Sequence, residues 1–284
     1  MPELPEVETI RRRLQPRAAG HVIVDADAHW SPKFAAARDA VGARITHVDR
    51  RGKYLLLGLH DDRELVIHLG MTGSLRMRAR DATADPYVRA RWILDDDEVL
   101  ELRDIRRFGR VAVVPAGDHA SLPTLAAQGP EPFAAEFTPE HLWRALRKSK
   151  ARVKTQLLSQ RPVAGVGNIY ADEALWRAGI HPARRLVTRE QAARLHESLQ
   201  SVLAQGIDNG GTTLRDYRTF DEGTGANQHQ LDCYGRDGHP CRRCATTLVR
   251  RVYDGRGATV CLRCQPSDGR AGRPALPAAG EPVL

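Results

Sequence analysis

The chain has 284 residues, enough for two or three modest domains with a substantial core. Forty-three Lys and Arg oppose 35 Asp and Glu, and the resulting formal charge of +8 suits a polyanionic partner. No apolar run reaches the ~18 residues of a membrane span, and the acidic start lacks the basic-then-apolar order of a secretory signal, so a cytoplasmic protein is expected.

The chain opens MPELPEVETIRRRL. Proline after the initiator, acidic Glu3, Glu6 and Glu8, and Leu4, Val7, Ile10 and Leu14 at helical spacing predict a helix start. A chemical alternative stands beside it. Trimming of Met1 would give Pro2 a free secondary amine, a nucleophile that can form a Schiff base. Nothing local decides between the two.

Residues 21–115 are strand-like: HVIVDADA, ARITHVDRRGKYLLLGL, ELVIHLGMTGSLRMR, RARWILD, EVLELRD and GRVAVVP predict a sandwich or barrel. Residues 116–137, rich in Pro, Gly and Ala, predict an interdomain connection. The period then becomes helical. Thr138-Pro139 caps one helix, a second is expected over 153–159, and a third from Asn168 to Ala178 stops at Gly179. Thr188-x-x-Gln191 reads as a capping box for a helix towards Gln205. The Gly- and Asn-rich stretch 206–230 is expected to be a mobile loop, and the Pro-, Gly- and Ala-rich residues 266–284 a disordered tail.

Four of five cysteines fall as Cys241-x2-Cys244-x16-Cys261-x2-Cys264, the spacing of two knuckles around one zinc ion. Four thiolates close the coordination shell, so the predicted Zn2+ is structural; Cys233, outside the pattern, is expected to be a free thiol.

The segments PELPEVET, RRGKYLLL, IHLGMTGSL, DIRRFG, VAGVGNIYADEAL, GGTTLRDY and YGRDGHPC, followed by the cysteine tetrad, occur in the order found in formamidopyrimidine-DNA glycosylases. The resemblance covers about residues 1–265. It implies an α+β multidomain protein: an N-terminal catalytic β-sandwich with a leading helix (1–116), a linker (117–137), a helix-two-turns-helix domain (138–231) with its lesion loop at 206–230, and a C-terminal β-hairpin zinc finger (232–265). It also implies a monomeric, bacterial-type, nucleoid-associated enzyme that acts on damaged double-stranded DNA, removing oxidised purines and then cleaving the abasic strand. The sister endonuclease VIII-like group, which takes oxidised pyrimidines, usually begins PEGP. A non-catalytic DNA-binding paralogue is a further alternative, against which the intact PELPEVE start argues.

Carried over residue by residue, the resemblance makes Pro2 the nucleophile, Glu3 the general acid at the sugar ring oxygen, and Glu6 a support for the N-terminus. Lys53 matches a lysine near the lesion phosphate and sugar, although on its own it reads as an ordinary strand lysine. Met71, Arg106 and Phe108 match the residues that fill the gap left by an everted nucleotide. Lys154 and Asn168 match backbone-gripping residues, and Arg256 matches the zinc-finger arginine that clamps phosphates beside the lesion. Two departures are visible: Ile105 stands where a proline is usual, and PYVRARW lacks a histidine common in that strand.

Overall fold

In helix α1 (Leu4–Ala18), Leu4, Val7, Ile10, Leu14 and Ala18 recur at three- and four-residue intervals and are all buried, so one face of the helix enters a core. The computed structural model describes residues 1–214 and 217–267. The expected tail therefore lies almost wholly outside the described residues.

Eight strands follow: β1 (Ile23–Ala28), β2 (Ile45–Arg51), β3 (Tyr54–Leu59), β4 (Arg63–His68), β5 (Gly73–Ala79), β6 (Val88–Leu94), β7 (Glu98–Asp104) and β8 (Arg110–Pro115). They form two antiparallel four-stranded sheets, in the orders β1-β6-β7-β5 and β2-β3-β4-β8. Trp92, Leu100, Leu102 and Leu75 from the first share one buried cluster with Leu55, Leu57, Leu65 and Ile67 from the second, and α1 contributes to the same cluster. This is the sandwich solution to the strand-rich pattern.

Strand β3 is buried at every position, which explains why YLLLGL reads as a continuous apolar run instead of alternating. Its other face carries Tyr54 and Leu56, which pack with Val66, Val114, Leu122 and Leu125. The last two flank and occupy the short helix α2 (Pro123–Ala126), so part of the stretch expected to be a linker is a lid on the second sheet.

The helices α3 (Pro139–Arg147), α4 (Val153–Leu158), α5 (Asn168–Ala178) and α6 (Arg189–Asp208) come next, then the hairpin β9 (Val249–Tyr253) and β10 (Arg256–Val260). The predicted caps form: Thr138 Oγ1 accepts from His141 N at 3.1 Å, and Thr188 and Gln191 bond reciprocally at 3.0 and 3.1 Å. Gly179 ends α5 at φ 67°, a conformation that favours glycine.

Two compact units result: Met1–Ala127 with Gln205–His229, and Gln128–Ala204 with the chain from Gln230 onward. Residues 205–229 thus cluster with the sandwich, whereas the sequence pattern grouped them with the helical domain. The cause is physical. Phe220 is 2 % exposed within the sandwich core, Arg76 donates to Glu222 at 2.7 Å, and Glu6 binds Thr212.

Candidate functional site

In the first unit the N-terminal residues are anchored from two directions. Glu3 is the N-cap of α1 and forms a reciprocal capping box with Glu6; the Glu6 carboxylate accepts from Glu3 N at 2.8 Å. Its other oxygen accepts from Thr212 N at 2.7 Å. Both glutamates are buried, and so is Pro2, while Met1 is 50 % exposed. Tyr217 Oη donates towards the Glu6 carbonyl at 3.4 Å and lies 3.3 Å from that of Gly210. Between these contacts Gly211 sits at φ 85°, where a Cβ would lie 3.0 Å from both Glu6 Cγ and the Tyr217 ring; only glycine fits without displacement. The GGTT motif is therefore shaped to close on Glu6.

Lys53 follows the turn glycine Gly52 (φ 56°) into β3 and is 6 % exposed. Its charge is felt by His68 at the end of β4: burial first, then Lys53 and Arg110, push the imidazole down to about 4. His68 Nδ1 accepts from Gly70 N at 3.2 Å and its ring lies 4.6 Å from that of Tyr54. Sequence reasoning passed over His68, because a single histidine in an apolar strand reads as core. The signal was its place in IHLGMTG, two residues before the glycine turn that presents Met71.

Met71, Arg106 and Phe108 occupy two adjoining loops. A Cβ on Gly70 (φ 65°) would lie 2.4 Å from the Phe108 carbonyl carbon, so the β4–β5 and β7–β8 loops touch through backbone. Asp104, fully buried, organises both: its carboxylate accepts from the Thr72 hydroxyl, from Arg106 N at 3.2 Å and from Gly109 N at 2.7 Å. On this platform Met71 is 36 % and Phe108 46 % exposed, and the Arg106 guanidinium lies 4.7 Å from the Phe108 ring centroid. Two apolar tips and an arginine are thus held outward on a rigid base, an arrangement suited to entering a stack of bases.

In the second unit, residues 159–167 between α4 and α5 turn around Gln160, whose side chain accepts from Gly165 N at 2.8 Å and donates to the Val166 carbonyl. Asn168 then opens α5, and its side-chain oxygen finds no partner among the described residues. Helix starts of this kind suit phosphate.

Lys154, which the resemblance matches to a backbone-gripping residue, stands in the first turn of α4. It is 1 % exposed, and its ammonium donates to Asp172 Oδ1 and to the Gly257 carbonyl, each at 2.6 Å. Asp172 in turn accepts from Thr259 N at 3.0 Å, so the pair holds β10 from below. The turn of the same hairpin, Asp254-Gly255, has φ 49° and 75°, and Asp254 pairs with Arg152 and Thr155 of the α4 start. Arg256 follows that turn and is exposed.

The four cysteine sulfurs Cys241, Cys244, Cys261 and Cys264 all lie within 4.8 Å of one another, with Cys244–Cys261 at 3.4 Å and Cys241–Cys264 at 3.9 Å. A zinc tetrahedron with bonds of about 2.3 Å has edges of about 3.8 Å, so the set fits the ion. Cys233 is buried beside them, and its thiol donates to the Thr259 carbonyl at 2.9 Å. The finger is fixed to α5 by Arg243, which lies 4.1 Å from the Trp176 ring and bonds its carbonyl, and by Glu173, whose carboxylate accepts from Asp232, Cys233 and Tyr234 N at 2.7–3.0 Å. Burial nevertheless pushes the Glu173 carboxyl up to about 7.

Three family models match in succession: the formamidopyrimidine-DNA glycosylase N-terminal domain over residues 1–111, the formamidopyrimidine-DNA glycosylase H2TH domain over 128–218, and the zinc finger found in FPG and IleRS over 238–266. The formamidopyrimidine-DNA glycosylase of Deinococcus radiodurans is 43% identical over 280 residues, spanning 94% of this chain and 98% of the relative. The crystal structure of the MutM (Fpg) protein of Thermus thermophilus superposes with a TM-score of 0.87 at 44% identity, over 93% of this chain and 98% of that one. The Lactococcus lactis enzyme bound non-covalently to DNA containing an AP site gives 0.84 at 32% identity, over 93% and 99%. This chain belongs to the formamidopyrimidine-DNA glycosylase family.

Proposed function

We propose that this protein is a base-excision repair enzyme that removes oxidised purines, 8-oxoguanine and formamidopyrimidines, from duplex DNA and then cleaves the strand at the abasic site. The observation that carries the reading is the Glu6 carboxylate, which binds Glu3 N and Thr212 N and so fixes a buried Pro2 at the head of α1. A helix start alone needs no second anchor 206 positions away.

With Met1 removed, the Pro2 nitrogen becomes a secondary amine; α-amino groups titrate near neutrality, so a useful fraction is unprotonated. The amine attacks C1′ of the everted nucleotide as the bond to the base breaks, and Glu3 protonates the sugar ring oxygen. Loss of the amine proton and ring opening leave an iminium that acidifies C2′. Elimination of the 3′ phosphate and then the 5′ phosphate follows. Lys53, beside His68 in the same unit, supplies charge for the lesion phosphate and sugar, while Met71, Arg106 and Phe108 fill the vacated stack. Asn168 and Arg256 grip the backbone, and zinc supports Arg256 by shaping the finger without touching the reacting atoms. The partner is damaged double-stranded DNA, met by a monomer in the cytoplasm at the nucleoid. Among the described residues no helix is long and apolar enough to cross a membrane.

Borohydride trapping on an 8-oxoguanine:cytosine duplex tests the reading. A covalent complex mapping to Pro2 is expected, with thymine glycol duplexes trapped more slowly. Binding of abasic DNA without nicking, in protein whose Met1 is shown to be absent, would overturn it.

A further inference from the structure

Trp30 is 79 % exposed, more than any other large apolar side chain among the described residues. It is not on a loose loop. His29 N donates to the Arg89 carbonyl at 2.9 Å, Ser31 N to His29 Nδ1 at 3.2 Å, and Phe34 closes the loop into the core at 0 % exposure. The His29 ring lies 5.0 Å from the indole and 6.2 Å from Phe34, backing the tryptophan from inside.

The loop also joins the platform that presents Phe108. Val111 N donates to the Lys33 carbonyl at 2.8 Å, Lys33 Nζ donates to the Arg107 carbonyl at 3.0 Å, and the same ammonium lies 5.8 Å from the Phe108 ring centroid. Burial first, then the charges of Arg89 and Arg107, hold the His29 imidazole below its ordinary range. An outward aromatic side chain, fixed by its own backbone on a loop whose Lys33 reaches the Arg107 carbonyl and the Phe108 ring, has the composition of a nucleic-acid contact: a stacking face beside positive charge. Left in water, the indole forgoes the burial that a ring of this size normally supplies.

We propose that Trp30 is a further DNA-contact residue, laying its ring on a nucleotide of the duplex that flanks the gap filled by Phe108, with Lys33 and Arg107 drawing in the adjoining phosphates. This extends the contact surface past the three gap-filling side chains and rests on the reading that the Phe108 loop enters DNA.

Tryptophan fluorescence isolates the site, because Trp92 and Trp176 are buried, at 0 % and 5 % exposure, and Trp143 lies between Arg147 and Arg189. Acrylamide quenching should fall when a long abasic-site duplex is added, and Trp30→Phe should abolish that change while keeping affinity within about threefold. Trp30→Ala should weaken binding roughly tenfold, within the range of a lost base–aromatic stack. A series of duplexes shortened on either side should erase that difference on one side only. Tight binding with the indole still quenched and Trp30→Ala unaffected would remove Trp30 from the interface. Failure of the wild-type protein to bind the duplex would instead sink the DNA reading itself.

Discussion

Lys154 Nζ and Asp172 Oδ1 lie 2.6 Å apart with both side chains 1 % exposed, and between them they hold the backbone of β10 on either side of Ala258. The hairpin strand that begins with Arg256 therefore rests on a buried ion pair. Removing one partner leaves the other charge stranded, which costs about 3–5 kcal/mol. Lys154→Met should destabilise the protein by that order in urea, and the double variant with Asp172→Asn should recover part of the loss. If the pair acts on DNA through Arg256, Lys154→Met should add little to the weakening already caused by Arg256→Ala. Additive losses would show that Lys154 has a separate role.

Glu6 gives a second test. Its carboxylate satisfies two backbone amides, those of Glu3 and Thr212. Glu6→Ala strands both, at about 1–3 kcal/mol each, and loosens the start of α1. Melting temperature should fall, and borohydride trapping at Pro2 should slow by well over tenfold even at saturating DNA. Unchanged trapping in a destabilised variant would confine Glu6 to stability.

The sign of the His68 effect follows from its depressed pKa of about 4. In the unfolded chain the imidazole takes up a proton near 6.5, whereas the folded protein refuses it until about 4, so stability is lost as pH falls across that window. The full shift corresponds to about 3 kcal/mol. Urea midpoints at pH 7.5, 5.5 and 4.5 should fall more in the wild-type chain than in His68→Gln.

Zinc removal should unfold the finger, since four buried or half-buried thiols without an ion lose the bonds that define it. Metal analysis should give one zinc per chain. A strong chelator should abolish nicking at low protein concentration, and zinc, but not magnesium, should restore it. Cys233→Ser should retain the ion, because its sulfur is bonded to the Thr259 carbonyl.

The features legible in the sequence are those whose partners are near in the chain. The cysteine knuckles, the Thr138 and Thr188 caps and the glycine stop of α5 each need only a few residues, and each forms. The features that eluded it are long-range. Lys154 carries the type of a phosphate contact, and only the fold brings it to Asp172, 18 positions on, and to Gly257, 103 positions on. Leu122 and Leu125 lie in a stretch whose composition reads as linker, yet they cover the outer face of a sheet whose doubly buried strand YLLLGL already required a cover. Residues 205–229 comprise the last turn of α6 and the chain after it, but Phe220 and Thr212 belong to the sandwich side.

The bond between Glu6 and Thr212 also sets an order of events during synthesis. The first helix can bury its apolar face once the sandwich strands have emerged, but its lid of GGTT arrives only after most of the chain has been made. At about 5–20 residues per second, those 206 positions delay it by roughly 10–40 s. Throughout that interval the Glu6 carboxylate has only the Glu3 amide to hold, so the frame around Pro2 is complete only when the sandwich receives its last segment.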